Sequence, residues 1–324
     1  MNEKGIWLLN EMKPEHFKKA QEIAPDYDLI KGWEENSELD YPLEKIEVVY
    51  GWDKDKVQKA GLFDTEDSQL KWIQASSAGV DYMDLTHLEE QKILLTNASG
   101  IHSVPIAESV FGMLLAYGRK IQQAVIDQTQ HVWRKEQQAL MELSGKTIMI
   151  VGTGHIGKEV GRLAKAFNMN TIGINRSGRE VENMDAIYQQ PDLTDHVEKA
   201  DIVVNILPLT SETEHYFDEK IFYQMKEGTI FVNVGRGPTV KTEDLIQALD
   251  DGKVAFAGLD VFEAEPLEND SPLWDRNDVL ITPHISGNAE HYNTRLFDIF
   301  EENLQAYIAK KELPKNLVDY EKSY

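Results

Sequence analysis

Apolar residues along this chain fall into short runs separated by polar stretches of a different period. Residues 6–9, 46–49, 72–74 and 93–95 are apolar runs of strand length, while segments such as 14–24 and 53–60 carry helical spacing. Strand and helix in alternation predict a parallel α/β layer. The rhythm breaks at Ser99-Gly100. Ser103-Val104-Pro105 then offers a cap with proline in the first turn, and predicts a long helix running on towards Asp127. A second α/β series begins at 147–151 and continues through strand candidates at 171–174, 202–205, 230–234, 255–258 and 279–281. A last periodic segment, about 288 to 310, follows it and is expected to pack back on the first layer. The expected domains are therefore 1–101 with 286–324, and 102–285.

The run 147–151 leads straight into Gly152-Thr153-Gly154-His155-Ile156-Gly157 and then a helix-like segment, 158–167. This is GxGxxG between a strand and a helix, the setting in which it binds a dinucleotide pyrophosphate. Gly152 permits the tight turn, Gly154 lets the anion approach the backbone, and Gly157 allows helix to pack on strand, with the helix amino terminus facing the phosphate. The next strand ends at Asn175, 18 residues beyond Gly157, followed by Arg176, Ser177, Gly178 and Arg179. An NAD site would place Asp or Glu there for the ribose hydroxyls. The guanidinium of Arg176 and the hydroxyl of Ser177 suit a 2′-phosphate instead, so NADP(H) is the expected cofactor and NAD(H) the alternative.

Composition narrows the partners. The chain has 324 residues, 41% hydrophobic, with a formal net charge of −23. That field repels nucleic acid and anionic membrane surfaces, and an anionic substrate would need a local cation. With no cysteine, thiolate chemistry and thiolate metal sites are excluded, and no metal is expected. The amino terminus lacks the pattern of a signal peptide, and the most apolar stretch, 104–117, is shorter than the ~20 residues of a membrane span and carries Glu108. A soluble, cytoplasmic protein is expected, with that stretch as a buried helix.

Three later segments each place an ionisable group just past a strand candidate: Asn233-Val234-Gly235-Arg236-Gly237, Asp260 to Glu265 before Pro266, and His284 after Pro283, with Gly287 beyond. Reducing a 2-keto acid needs a cation for carboxylate and carbonyl, a hydride donor, and an acid for the carbonyl oxygen. Arg236, a nicotinamide and His284 fill those roles, and Glu265 is the carboxylate that would favour the imidazolium.

Together with the glycine turn these segments resemble the D-isomer-specific 2-hydroxyacid dehydrogenase family, over most of the chain. The resemblance implies two Rossmann-like, flavodoxin-like parallel-sheet domains with an active-site cleft between them. It implies that Arg236, Glu265 and His284 are catalytic, that Asp260 orients the nicotinamide carboxamide, and that Leu207, Pro208 and Thr213 line the cofactor. Ser76-Ser77-Ala78-Gly79-Val80-Asp81 is similar to the family loop whose backbone N–H groups hold the substrate carboxylate, and Trp52 is expected to shape the side-chain pocket. A homodimer built on the apolar helix after Val104 is implied as well. Asn175, in place of an acid, and Ala78 are the departures from the common pattern. The expected reaction is NADPH-dependent reduction of glyoxylate, hydroxypyruvate or a similar 2-keto acid to a D-2-hydroxy acid. The alternative is a nucleotide-sensing corepressor on the same fold; formate oxidation is disfavoured, because such enzymes pair the histidine with glutamine.

Overall fold

The protein, seen in a computed structural model, is described over residues 2–34, 39–63, 68–80, 82–135 and 140–320. It divides into two compact units, Met1–Ile101 with Ala289–Tyr324, and His102–Asn288. The first unit opens with β1 (Lys4–Leu8), α1 (Pro14–Ile23), β2 (Tyr27–Lys31), β3 (Ile46–Tyr50), α2 (Lys54–Ala60), β4 (Trp72–Gln74), α3 (Leu85–Glu90) and β5 (Leu94–Thr96). The second carries α4 (Ser103–Gly118), α5 (Ile121–Thr129), β6 (Thr147–Val151), α6 (His155–Ala166), β7 (Asn170–Asn175), β8 (Ala186–Gln189), α7 (Leu193–His196), β9 (Ile202–Asn205), α8 (Glu219–Gln224), β10 (Thr229–Asn233), α9 (Thr242–Asp250), β11 (Val254–Leu259) and β12 (Val279–Ile281). The chain then returns to the first unit with α10 (Tyr292–Ile308).

Both sheets are wholly parallel. The first has the order β2-β1-β3-β4-β5 and the second β12-β11-β10-β9-β6-β7-β8. The second order is that of a Rossmann sheet with a seventh strand, and its direction of winding reverses between β6 and β9, where such sheets bind their ligands. Successive residues of a strand face opposite sides. In β6, Ile148 and Ile150 join one apolar cluster with α4 residues Val110, Phe111 and Leu114, while Met149 and Val151 join another with Phe217, Phe222 and Phe231. Burial on both faces is why these strands read as continuous apolar runs. In the first unit, Ile6, Leu8, Tyr50 and Trp72 pack against Phe297, Phe300 and Leu304 of α10.

The structure departs from the sequence reading at three places. The helix expected to run on to Asp127 stops at Gly118 and restarts at Ile121, because Lys120 turns left-handed (φ 55°) and the amides of Arg119 and Lys120 fold back on Leu115 and Tyr117. Strands β2 and β8 are edge strands with mixed burial and no apolar run to announce them. The second crossing falls after Asn288 rather than before 286, since Ser286 donates to the Asp260 carboxylate and the Gly287 carbonyl accepts from His102 Nδ1 at 2.7 Å. Among the described residues no helix is long and apolar enough to cross a membrane.

Candidate active site

The glycine turn leaves the carboxyl end of β6 at the winding reversal. Gly152 has φ 105°, a left-handed conformation that favours glycine, and its amide bonds Ile174 O. A Cβ on Gly157 would lie 2.2 Å from the Gly152 carbonyl oxygen, so only glycine lets α6 start this close to the strand. Beside Gly154 there is open space where a Cβ would point, and the first backbone bond of α6 runs from Lys158 N to Gly154 O. The cradle is thus the one a pyrophosphate needs: room at Gly154, and the amino end of a twelve-residue helix directed into it. Thr153 is buried, His155 is exposed and Ile156 is half-buried.

Past β7, the Asn175 side chain is committed to its own loop. Its Nδ2 donates to Thr153 Oγ1 and Arg179 O, both at 3.0 Å, and its Oδ1 accepts the Ser177 amide at 3.2 Å. Asn175 therefore shapes the turn, while Arg176, Ser177 and Arg179 are exposed with neither guanidinium in an ion pair among the described residues. After β9, Leu207 is buried, and Thr213 Oγ1 donates to the Pro208 carbonyl at 2.6 Å and accepts the Thr210 amide at 2.8 Å, which closes the 208–213 loop.

Arg236 follows β10 on a loop set by buried amides. Asn205 Nδ2 donates to Asn233 Oδ1 (3.0 Å) and Thr239 Oγ1 (2.6 Å), Thr239 Oγ1 donates to Arg236 O, and Asn233 Oδ1 accepts the Gly235 amide. Val234 and Gly235 are buried; the Arg236 side chain is exposed, with Nη1 donating to Gly235 O at 2.9 Å. Gly237 lies so close to the Phe262 carbonyl that a Cβ there would come within 1.7 Å of its oxygen. The Phe262 amide in turn donates to Glu265 Oε1 at 3.0 Å, and Glu265 Oε2 accepts from His284 Nδ1 at 2.7 Å. A continuous chain of contacts therefore joins the Arg236 loop, Glu265 and His284. His284 sits in the left-handed region (φ 53°), a costly conformation for a non-glycine residue. With Nδ1 engaged, its Nε2 has no partner among the described residues, and half of the side chain is exposed.

Asp260 opens the segment that leads to Glu265. It is fully buried, and its carboxylate accepts from Thr282 Oγ1 (2.5 Å), Ile285 N (3.0 Å), Ser286 N (3.1 Å) and Ser286 Oγ (2.5 Å). Its backbone carbonyl also takes the His284 amide at 2.8 Å. What it holds in this structure is the His284 loop. Sequence reasoning also passed over a second histidine–carboxylate pair. Glu263 accepts from His215 Nε2 at 2.8 Å and from the Thr242 amide at 2.7 Å, tying the loop that carries Glu265 to the 208–217 segment and to α9. A left-handed His215 (φ 49°) was beyond any local signal.

The remaining expected residues belong to the first unit, at the carboxyl end of its sheet. Ser77 Oγ donates to Gly79 O at 2.7 Å, Asn97 Nδ2 donates to Ala78 O at 2.9 Å, and Ala78 and Gly79 are exposed. Asp81 lies outside the described residues. Trp52, after β3, is half-buried against Phe63, and its Nε1 is buried without a hydrogen-bond partner.

Residues 111–286 match the family model of the D-isomer specific 2-hydroxyacid dehydrogenase NAD binding domain. The chain belongs to the D-isomer-specific 2-hydroxyacid dehydrogenases. It is 34% identical to a glyoxylate reductase of Thermococcus litoralis over 272 residues, 82% of this chain and 81% of the relative. Among solved structures, a family member from Aeromonas salmonicida is 31% identical, with a TM-score of 0.77, over 98% of this chain and all of that one. An NADPH-dependent glyoxylate/hydroxypyruvate reductase from Sinorhizobium meliloti, in complex with NADP and sulfate, is 25% identical with a TM-score of 0.75, over 99% of this chain and all of that one. The protein is an NAD(P)-dependent oxidoreductase of this family.

Proposed function

We propose that this dehydrogenase reduces small 2-keto acids, glyoxylate and hydroxypyruvate first, to D-2-hydroxy acids, and that it prefers NADPH. The observation that carries the reading is the His284 Nδ1–Glu265 bond, which leaves Nε2 as the one proton-donating nitrogen while Arg236 sits on the abutting loop. A dinucleotide held at the 152–157 turn would supply the hydride that C2 receives. Arg236 binds the carboxylate, His284 Nε2 gives its proton to the carbonyl oxygen, and Glu265 holds the imidazole in the orientation that this transfer needs. The amides of residues 77–79 are the proposed second clasp on the carboxylate, with Trp52 at the substrate side chain. Val234, Gly235 and Gly287 join the glycine turn, Leu207, Pro208 and Thr213 along the cofactor. The relatives named for glyoxylate reduction support the substrate class, and a solved relative holding NADP supports the cofactor.

NADPH preference rests on the exposed guanidiniums of Arg176 and Arg179, neither in an ion pair among the described residues, and on the lack of an acid at Asn175. Steady-state kinetics with glyoxylate and hydroxypyruvate test it: kcat/KM is expected to be on the order of 10-fold or more higher with NADPH than with NADH, as charge-assisted phosphate binding predicts. A higher value with NADH refutes the preference, and no turnover of either acid refutes the reading.

A homodimer in the cytoplasm is the proposed working form. Ile106, Val110, Phe111, Met113 and Leu114 of α4 are buried inside their own unit. Exposed apolar side chains lie instead on α5 and just beyond it, at Ile121, Val125, Ile126, Val132 and Trp133. Light scattering is expected to give twice the chain mass, and Val125→Lys with Trp133→Ser to give one chain mass.

A further inference from the structure

The five strands of the first sheet are parallel, so their amino-terminal ends share one edge, opposite to the edge that carries Trp52 and the 77–79 loop. A cavity of about 540 Å³ opens at this amino-terminal edge, a size typical of sites for small molecules. Lys4 begins β1, Lys71 precedes β4, and Lys310 and Lys311 follow α10; all four line the cavity, against two carboxylates, Glu47 and Asp26. The wall thus carries an excess of two positive charges in a chain whose net charge is −23.

Glu47 accounts for only part of that charge. It is buried, and it accepts from Lys4 (3.0 Å), Lys71 (3.2 Å) and the Tyr307 hydroxyl (2.7 Å). Two ammonium groups therefore converge on one carboxylate, and about half of each lysine side chain stays open to solvent. Lys310 and Lys311 have no carboxylate partner among the described residues. The last carbonyls of α10 are taken by the amides of Ala309, Lys310 and Lys311, so the helix end turns few free acceptors towards these side chains. Tyr27, Leu94 and Ile308 complete an apolar wall next to the ammonium groups. Compensated charge is the usual state of a structural ion cluster; a surplus around a cavity is the arrangement that binds an anion.

We propose that this cavity binds a small organic dianion, a phosphate monoester or a dicarboxylate with a compact apolar body, away from the dehydrogenase centre. Lys310 and Lys311 meet the charge, Lys4 and Lys71 reinforce it from Glu47, and Tyr27 and Ile308 receive the body of the ligand. Binding does not depend on turnover, so the site stands or falls separately from the reaction proposed above.

Titration calorimetry on the full chain, at constant ionic strength, tests it with phenyl phosphate, glutarate and the monoanion benzoate. One saturable site per chain is expected for at least one dianion, with benzoate about 10-fold weaker or worse. Phenyl phosphate alone would assign a phosphate, and glutarate alone a dicarboxylate. The double variant Lys310→Asn, Lys311→Ser should weaken binding about 10-fold with an unchanged melting temperature, asparagine being chosen because Lys310 is left-handed (φ 54°). Asp26→Asn, at an exposed position, should tighten it about threefold. No saturable heat from either dianion, or binding by the lysine variant equal to that of the parent chain, overturns the proposal.

Discussion

Glu47 in the first unit and Asp260 in the second are both buried under heavy hydrogen bonding, and the two are satisfied in opposite ways. Asp260 accepts only neutral donors, the hydroxyls of Thr282 and Ser286 and two backbone amides of one short loop. Glu47 accepts two ammonium groups and a phenol, drawn from β1, from just before β4 and from α10. Short neutral donors on neighbouring residues fix one backbone course, since each bond is spoiled by a small displacement. Long cationic side chains tolerate movement and contribute charge. The first arrangement suits the loop that must present His284 accurately; the second suits a strand edge where position matters less than field. Burial alone does not tell these roles apart; the chemistry of the donors does.

The comparison can be broken at its catalytic end first. His284→Asn should lower kcat by roughly 10²–10⁴-fold, the range for a lost general acid, while dinucleotide affinity measured by fluorescence stays within about twofold. Unchanged turnover would remove His284 from the chemistry. Asp260→Asn keeps the shape but turns an acceptor into a donor facing Ser286. If the carboxylate works by fixing the loop, kcat should fall on the order of 10²-fold, as for about 1 Å of misplacement, and stability by about 3 kcal/mol through unsatisfied donors. A variant as stable as the parent but inactive would show instead that Asp260 acts on the reactants directly.

Glu47→Gln should do the converse and leave kcat alone while costing about 2 kcal/mol of stability. Its pH dependence is fixed in sign. Burial pushes the Glu47 carboxyl up, but the Tyr307 hydroxyl and the Lys4 and Lys71 ammonium groups outweigh it and hold the pKa below its ordinary 4.5. A carboxyl depressed in the folded state contributes stability above its unfolded pKa and loses it as pH falls through the folded one. The gap between parent and variant in urea unfolding should therefore be full at neutral pH and close in acid below 4.5. A gap that widens in acid would contradict the assignment.

The strands that bury both faces were legible because continuous apolar runs such as 147–151 and 202–205 have no other economical use, and the glycine turn because two of its positions, Gly152 and Gly157, are sterically forced. The chain order of Arg236, Glu265 and His284 was legible too, each just past a strand. Edge strands β2 and β8 were not, being half wet and mixed in pattern. The break at Lys120 depends on a single backbone angle, and Gly118 before it was the available hint. The hydrogen-bond partners of Asp260 were hidden for a deeper reason. Position after β11 predicts that a carboxylate stands near the site, whereas its partners are decided by how the 282–286 backbone folds over it. The same holds for His215 and Glu263, which meet across 48 residues.

The chain's double crossing, at 101–102 and 288–289, bears on how the molecule is made. The dinucleotide unit is one uninterrupted stretch and can complete its fold while still attached to the ribosome. The other unit waits: Ile6, Leu8 and Trp72 emerge early, but Leu296, Phe297, Phe300 and Leu304, which cover them, are synthesised only after the whole dinucleotide unit. Until then an apolar sheet face is uncovered, and in the cell this half of the protein is the half that a chaperone would have reason to hold.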